Sequence, residues 1–234
     1  NPDNVAQALP AAAATLRDRG LDIPLITANT DLVDPGADGV DTLLEAMAVA
    51  GVPRVKLGYY KIDLSVDYWD AVETCRAKLQ AWGEKARSHG VQVVYHTHSN
   101  RCMGLNAGML GHLLQELDPA GVGAYLDTGH LTGEGEEFAV ALAIQKKHLS
   151  VVSLKDFLLE RERSNGHGRK KRHVVEAGQG MTDFTAAFEC LHGIGYRGPA
   201  SIHCEFEVDD AGFAAAVERE TAFFLSLRKK VFAA

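Results

Sequence analysis

No stretch of the 234 residues is apolar for long enough to cross a bilayer, and no secretory leader opens the chain. The expectation is a protein with no membrane partner, cytoplasmic by default, any leader lying ahead of its first residue. Cysteine is scarce: Cys75, Cys102, Cys190 and Cys204 are far apart and form no C-x-x-C pair. That excludes a disulfide framework or a zinc knuckle and reads as free thiols in a reducing compartment. Positive charge is not in excess, and the net charge of −7 argues against a dedicated nucleic-acid binder. One basic run, Arg161 to His173, lacks the interleaved aromatics of a single-strand groove and reads as a long solvated loop. Gly178-Gln-Gly180 has no strand before it, so it is no dinucleotide fingerprint.

What the chain does have is apolar residue spread along its whole length, enough for a large core. Helical periodicity covers Asn4 to Arg19, with Pro10 set to kink or split its first turns. It returns over 40–50, 67–88, 105–116, 134–148, 182–194 and 211–231. Between these lie apolar strands at 23–29, 54–58, 91–98, 121–127, 150–156 and 200–207. Strand–helix alternation implies right-handed crossovers and a parallel sheet, either a doubly wound sheet or a (β/α)8 barrel. Polar residues favour the barrel, because they crowd at the C-terminal ends of four successive strands. The first helix has no strand before it, as in a barrel lacking its first two strands. Residues 1–234 therefore read as one barrel domain, incomplete at its N-terminus.

The strand ends carry the chemistry. His96 and His98 are two residues apart and would share a face, as ligands, acid–base groups or a bonded structural pair. Asp127 ends an apolar strand, where a lone carboxylate needs a metal ion, a hydroxyl or a donor beside it. His130 follows in Asp127-Thr-Gly-His130, as a ligand, a substrate contact or packing over the turn. Lys155 is placed to stabilise an enolate, or else snorkels or pairs with Asp156. His203, Glu205 and Glu207 would line one face of the last strand, with Glu205 as ligand or general base. Asn29, closing the first strand, is a candidate substrate contact together with His98 and His130.

Five motifs occur in order: Tyr95-His-Thr-His-Ser99, Tyr125-Leu-Asp-Thr-Gly-His130, Ser153-Leu-Lys-Asp-Phe157, Gly178-Gln-Gly-Met-Thr-Asp183 and Cys204-Glu-Phe-Glu207. Their order and spacing resemble the xylose isomerase-like barrels of the sugar phosphate isomerase/epimerase family. The resemblance implies a TIM barrel holding the third to eighth strands, and an isomerase or epimerase acting on a small-molecule carbohydrate. It implies a divalent metal (Mn, Zn or Mg) held by Glu, Asp, His and Glu on strands five to eight. Carried over by position, Asp127 and Glu205 match the second and fourth ligands. The first position falls on His96 and the third on Ser153, a poor divalent ligand. With one of the paired glutamates replaced, a one-base β-elimination from a keto-sugar or keto-inositol fits the set as well as isomerisation. A sugar-binding barrel without catalysis is a further alternative. Catalysis is expected from Glu205, His96 and Lys155, metal binding from Asp127, Glu205 and His96, and a homo-oligomer is compatible with the family.

Overall fold

The computed structural model describes residues 4–28 and 32–232, which fall into two compact units. The first holds the chain up to His96 and most of 100–125. It contains α1 (Val5–Arg17), β1 (Ile26–Thr27), α2 (Val40–Ala50), β2 (Arg54–Lys56), α3 (Tyr68–Ser88), β3 (Gln92–His96), most of α4 (Ala107–Leu114) and the start of β4 (Val122–Asp127). β1 to β4 lie side by side in sequence order, all parallel, with Val55 opposite Val93 and Val93 opposite Val122. β3 is buried from Val93 and β4 throughout, the mark of strands covered on both faces. Asp67 caps α3 by accepting from the amides of Trp69 and Asp70, so the chain leaves β2 through a defined helix start.

The second unit contains the end of β4, then α5 (Thr128–Gly133), α6 (Phe138–Gln145), β5 (Leu149–Leu154), β6 (Asp156–Ser164), β7 (His167–Val175), α7 (Phe184–Gly193), β8 (Ala200–Ile202) and α8 (Asp210–Phe232). β8 runs parallel to β5, with Ser153 opposite Ser201. Their outer side is sealed by an aromatic cluster in which Phe184 meets Phe224 edge-on at 4.9 Å and Phe188 stacks on Phe224 at 6.2 Å. Such ring pairs add about 0.5–1.5 kcal/mol each to the area they bury.

Four expectations change. The helix at the start runs unbroken through Pro10, which forfeits one ladder bond without ending it. The basic run is no loop: β6 and β7 form a nine-pair antiparallel hairpin turning at Asn165-Gly166, both at positive φ (45° and 81°). That is the geometry Asn-Gly supplies to a two-residue hairpin turn. A short helix, α5, starts directly at Thr128 and precedes α6, which is shorter than its periodicity suggested. The last strand stops at Ile202, so Glu205 and Glu207 lie beyond it and strand alternation does not govern them. Among the described residues no helix is long and apolar enough to cross a membrane.

Candidate active site

The motif Asp127-Thr-Gly-His130 is a bracket that seats Lys155. Asp127 is fully buried, and its Oδ1 caps α5 by accepting from the His130 amide at 2.8 Å. Its own amide donates to Thr97 Oγ1 at 2.9 Å. Thr128 Oγ1 accepts from the Lys155 amide at 3.1 Å and donates to the Lys155 carbonyl at 3.0 Å. Gly129 lies so close that a Cβ there would stand 2.9 Å from the Lys155 carbonyl oxygen. Only a residue without a side chain allows this approach.

With its backbone held, the Lys155 side chain, 4 % exposed, places Nζ 2.7 Å from Glu205 Oε2 and 3.7 Å from Asp127 Oδ2. Two carboxylates beside one ammonium offset the cost of burying it. His203 joins them: its amide donates to the Leu154 carbonyl at 3.0 Å, which sets the residue beside Lys155. Its Nδ1 is 3.4 Å from Glu205 Oε1 and 3.7 Å from Asp127 Oδ2. Four groups thus converge from the end of β4, the residue that links β5 to β6 and the segment after β8.

Asp156 takes no part in this cluster. Its carboxylate accepts from the amides of Gly178 at 3.0 Å, Gly180 at 2.8 Å and Thr182 at 3.0 Å. The Gly178-Gln-Gly-Met-Thr-Asp183 motif is therefore a nest around one buried carboxylate. A Cβ at Gly180 would lie 2.3 Å from Asp156 Oδ1. An ion pair with Lys155, considered from sequence, gives way to these three donors.

Ser99 sets the proton positions on two further imidazoles. Its carbonyl accepts from His98 Nδ1 at 2.8 Å, while its amide donates to His130 Nδ1 at 3.3 Å. Neutral His98 then has an unprotonated Nε2, and neutral His130 carries its proton on Nε2. The rings lie 4.3 Å apart, and His130 also meets Phe157 edge-on. In the first unit His96 is 2 % exposed at the end of β3, with Nδ1 2.9 Å from the Tyr59 hydroxyl. β3 ends at His96, so alternation does not carry on to His98.

The structure brings Lys155, Asp127 and Glu205 together. Asn29 lies outside the described residues. Sequence reasoning passed over His203 as a site residue, and Thr97 and Thr128 altogether. The signal for His203 was its place two residues before Glu205 after an apolar strand. Ser153, where the resemblance calls for an imidazole, is fully buried and its hydroxyl has no hydrogen-bond partner among the described residues. The His203 imidazole stands beside Asp127 instead.

A family model described as xylose isomerase-like TIM barrel matches residues 3–227. An inosose dehydratase of Geobacillus thermodenitrificans (strain NG80-2) is 30 % identical over 176 residues, 71 % of this chain and 57 % of that protein. One from Lacticaseibacillus casei is 28 % identical over 146 residues, 59 % of this chain and 48 % of that protein. The chain spans about half the length of these curated relatives. Among solved structures, a xylose isomerase domain protein from Planctomyces limnophilus has a TM-score of 0.72 at 19 % identity, covering 98 % of this chain and 84 % of that one. The IOLI protein with a binding zinc atom has a TM-score of 0.75 at 16 % identity, covering 97 % and 84 %. At these identities the likeness is one of fold.

Proposed function

The chain belongs to the xylose isomerase-like TIM-barrel family, and from that premise we propose that it carries the active site of a carbohydrate-converting enzyme. Its reaction removes a proton next to the carbonyl of a small polyhydroxylated compound, a sugar, keto-sugar or inositol derivative. The observation that carries this reading is the buried Lys155 ammonium, 2.7 Å from Glu205 and 3.7 Å from Asp127. Glu205, the exposed member of the group, takes the α-proton. Lys155 stays with the oxygen on which negative charge develops. His98, His130 and Asn29 are the proposed contacts to substrate hydroxyls.

The donor set also fits a divalent cation. His203 Nδ1 lies 3.7 Å from Asp127 Oδ2, a separation expected of ligands about 2.1 Å from one centre. Asp127 and His203 would hold Mn, Zn or Mg, and His96, one residue before Thr97 in the chain, and Glu205 are the proposed further ligands. Such an ion would polarise the substrate carbonyl as a Lewis acid.

Isomerisation or epimerisation returns the proton to carbon. β-Elimination is the second reading, favoured because Glu205 is exposed while Asp127, the other carboxylate at the Lys155 ammonium, is fully buried, and by the inosose dehydratases among the relatives. There the α C–H bond breaks, a C=C bond forms, the β C–O bond breaks, and the proton held by Glu205 leaves with that hydroxyl as water. Incubation in D2O with a panel of keto-sugars and keto-inositols tests both. Deuterium uptake should slow at least about a hundredfold in Glu205→Gln. No uptake with any compound, or equal uptake by Glu205→Gln, would sink the proposal. An epimer or an unsaturated product separates the two readings.

A further inference from the structure

The β6–β7 hairpin is fastened on one face and open on the other. On the fastened face Phe157 packs edge-on against His130, and Arg172 Nη1 binds Glu134 Oε1 at 2.6 Å. Lys170 reaches the Gly133 carbonyl from the same side. Residues of opposite parity, Leu158, Glu160, His173 and Val175, turn the other way, with Leu158 directly opposite His173. They form one wall of a cavity of about 430 Å³ whose far side is Glu205 and Glu207. The volume suits one six-membered ring with its substituents.

We propose that this cavity is the subsite for the ring of an uncharged polyhydroxylated substrate, and that the hairpin selects against phosphorylated ones. The inference rests on the proposed reaction at Glu205 and names the substrate class of that site. Three carboxylates face the space: Glu160, Glu205 and Glu207. The basic side chains among its lining residues are already engaged. Arg172 is bound to Glu134, and His173 Nε2 lies 3.1 Å from Glu160 Oε2. Lys155, beneath, is bound to Glu205 at 2.7 Å. Carboxylates accept strongly from hydroxyls and repel a phosphate dianion. Leu158 and Val175 supply an apolar strip of the kind that a ring's C–H face covers.

The test uses the intact chain with two inert probes, myo-inositol and its monophosphate, titrated by calorimetry and by NMR of the hairpin resonances. The neutral probe should shift the Leu158 and Val175 signals and bind at least about tenfold more tightly than the ester. Glu207→Lys should narrow or reverse that ratio, and Glu160→Gln should weaken the neutral probe about fivefold. Equal or tighter binding of the ester, or no hairpin shift with either probe, overturns the subsite. Deuterium exchange measured alongside separates the two proposals. Faster exchange on a phosphorylated sugar than on its neutral form removes the subsite and leaves the reaction. Hairpin-localised neutral binding without exchange on any carbonyl compound removes the reaction and leaves the subsite.

Discussion

Thr128 Oγ1 accepts from the amide of Lys155 and donates to its carbonyl, so one hydroxyl holds both ends of a single residue. Thr128→Val keeps the shape and removes both bonds. It leaves a buried amide without this acceptor, and a loss of about 1–3 kcal/mol is expected in urea unfolding. Exchange activity should fall as well, because the Lys155 backbone loses its anchor.

Lys155→Met preserves the length of the side chain and deletes its charge. Glu205 and Asp127 then lose the ammonium they share. Turnover in the exchange assay should drop about a hundredfold or more, with KM changed far less, since the cation acts where charge develops. Steady-state kinetics on one accepted substrate decides this. A fall in binding alone would assign Lys155 a purely structural part.

Ser153→Ala should leave the fold as stable as before or more stable, by up to about 1 kcal/mol, because it removes a buried hydroxyl that makes no hydrogen bond among the described residues. Thermal unfolding measures it. A marked loss of stability would show that the hydroxyl is bonded in solution.

Glu220 gives the pH prediction. Burial is the main cause raising its carboxyl above the usual range, aided by the nearby Glu176 and Asp156 carboxylates and opposed by the Ala177 amide. With the folded value above the unfolded one, this group's stabilisation is complete at low pH, where both states hold the proton. It is lost as pH climbs through about 4.5, where the unfolded chain releases its proton first, and on through the folded value. Glu220→Gln should flatten that stretch of the stability profile and raise stability at pH 7. Denaturant titrations from pH 4 to 8 compare the slopes, and parallel profiles would refute the assignment.

Elements with a strong period were legible in the sequence, and so were strand ends that carried isolated polar residues. Asp127 and Lys155 stood out because a charged residue at the end of an apolar run has few explanations. The hairpin was not legible: its residues are charged on both faces and show no apolar alternation, since its stability comes from Phe157 and from ion pairs with Glu134, just past the end of α5. Strand β8 looked longer than it is because His203, Glu205 and Glu207 mimic alternation. What sets those residues is the bond from His203 to Leu154 and the pair with Lys155, both invisible to local pattern. Glycines 129 and 180 could be noticed, but the groups they approach lie tens of residues away in the chain.

The Asn165-Gly166 turn fixes the register of nine residue pairs. Because side chains alternate, a one-residue slip of β7 would bring Arg172 to the place of His173 and carry a permanent positive charge inward. The length of a two-residue surface turn thus acts as a dial for substrate charge, one that can be set by inserting or deleting a residue without altering any side chain at the catalytic cluster.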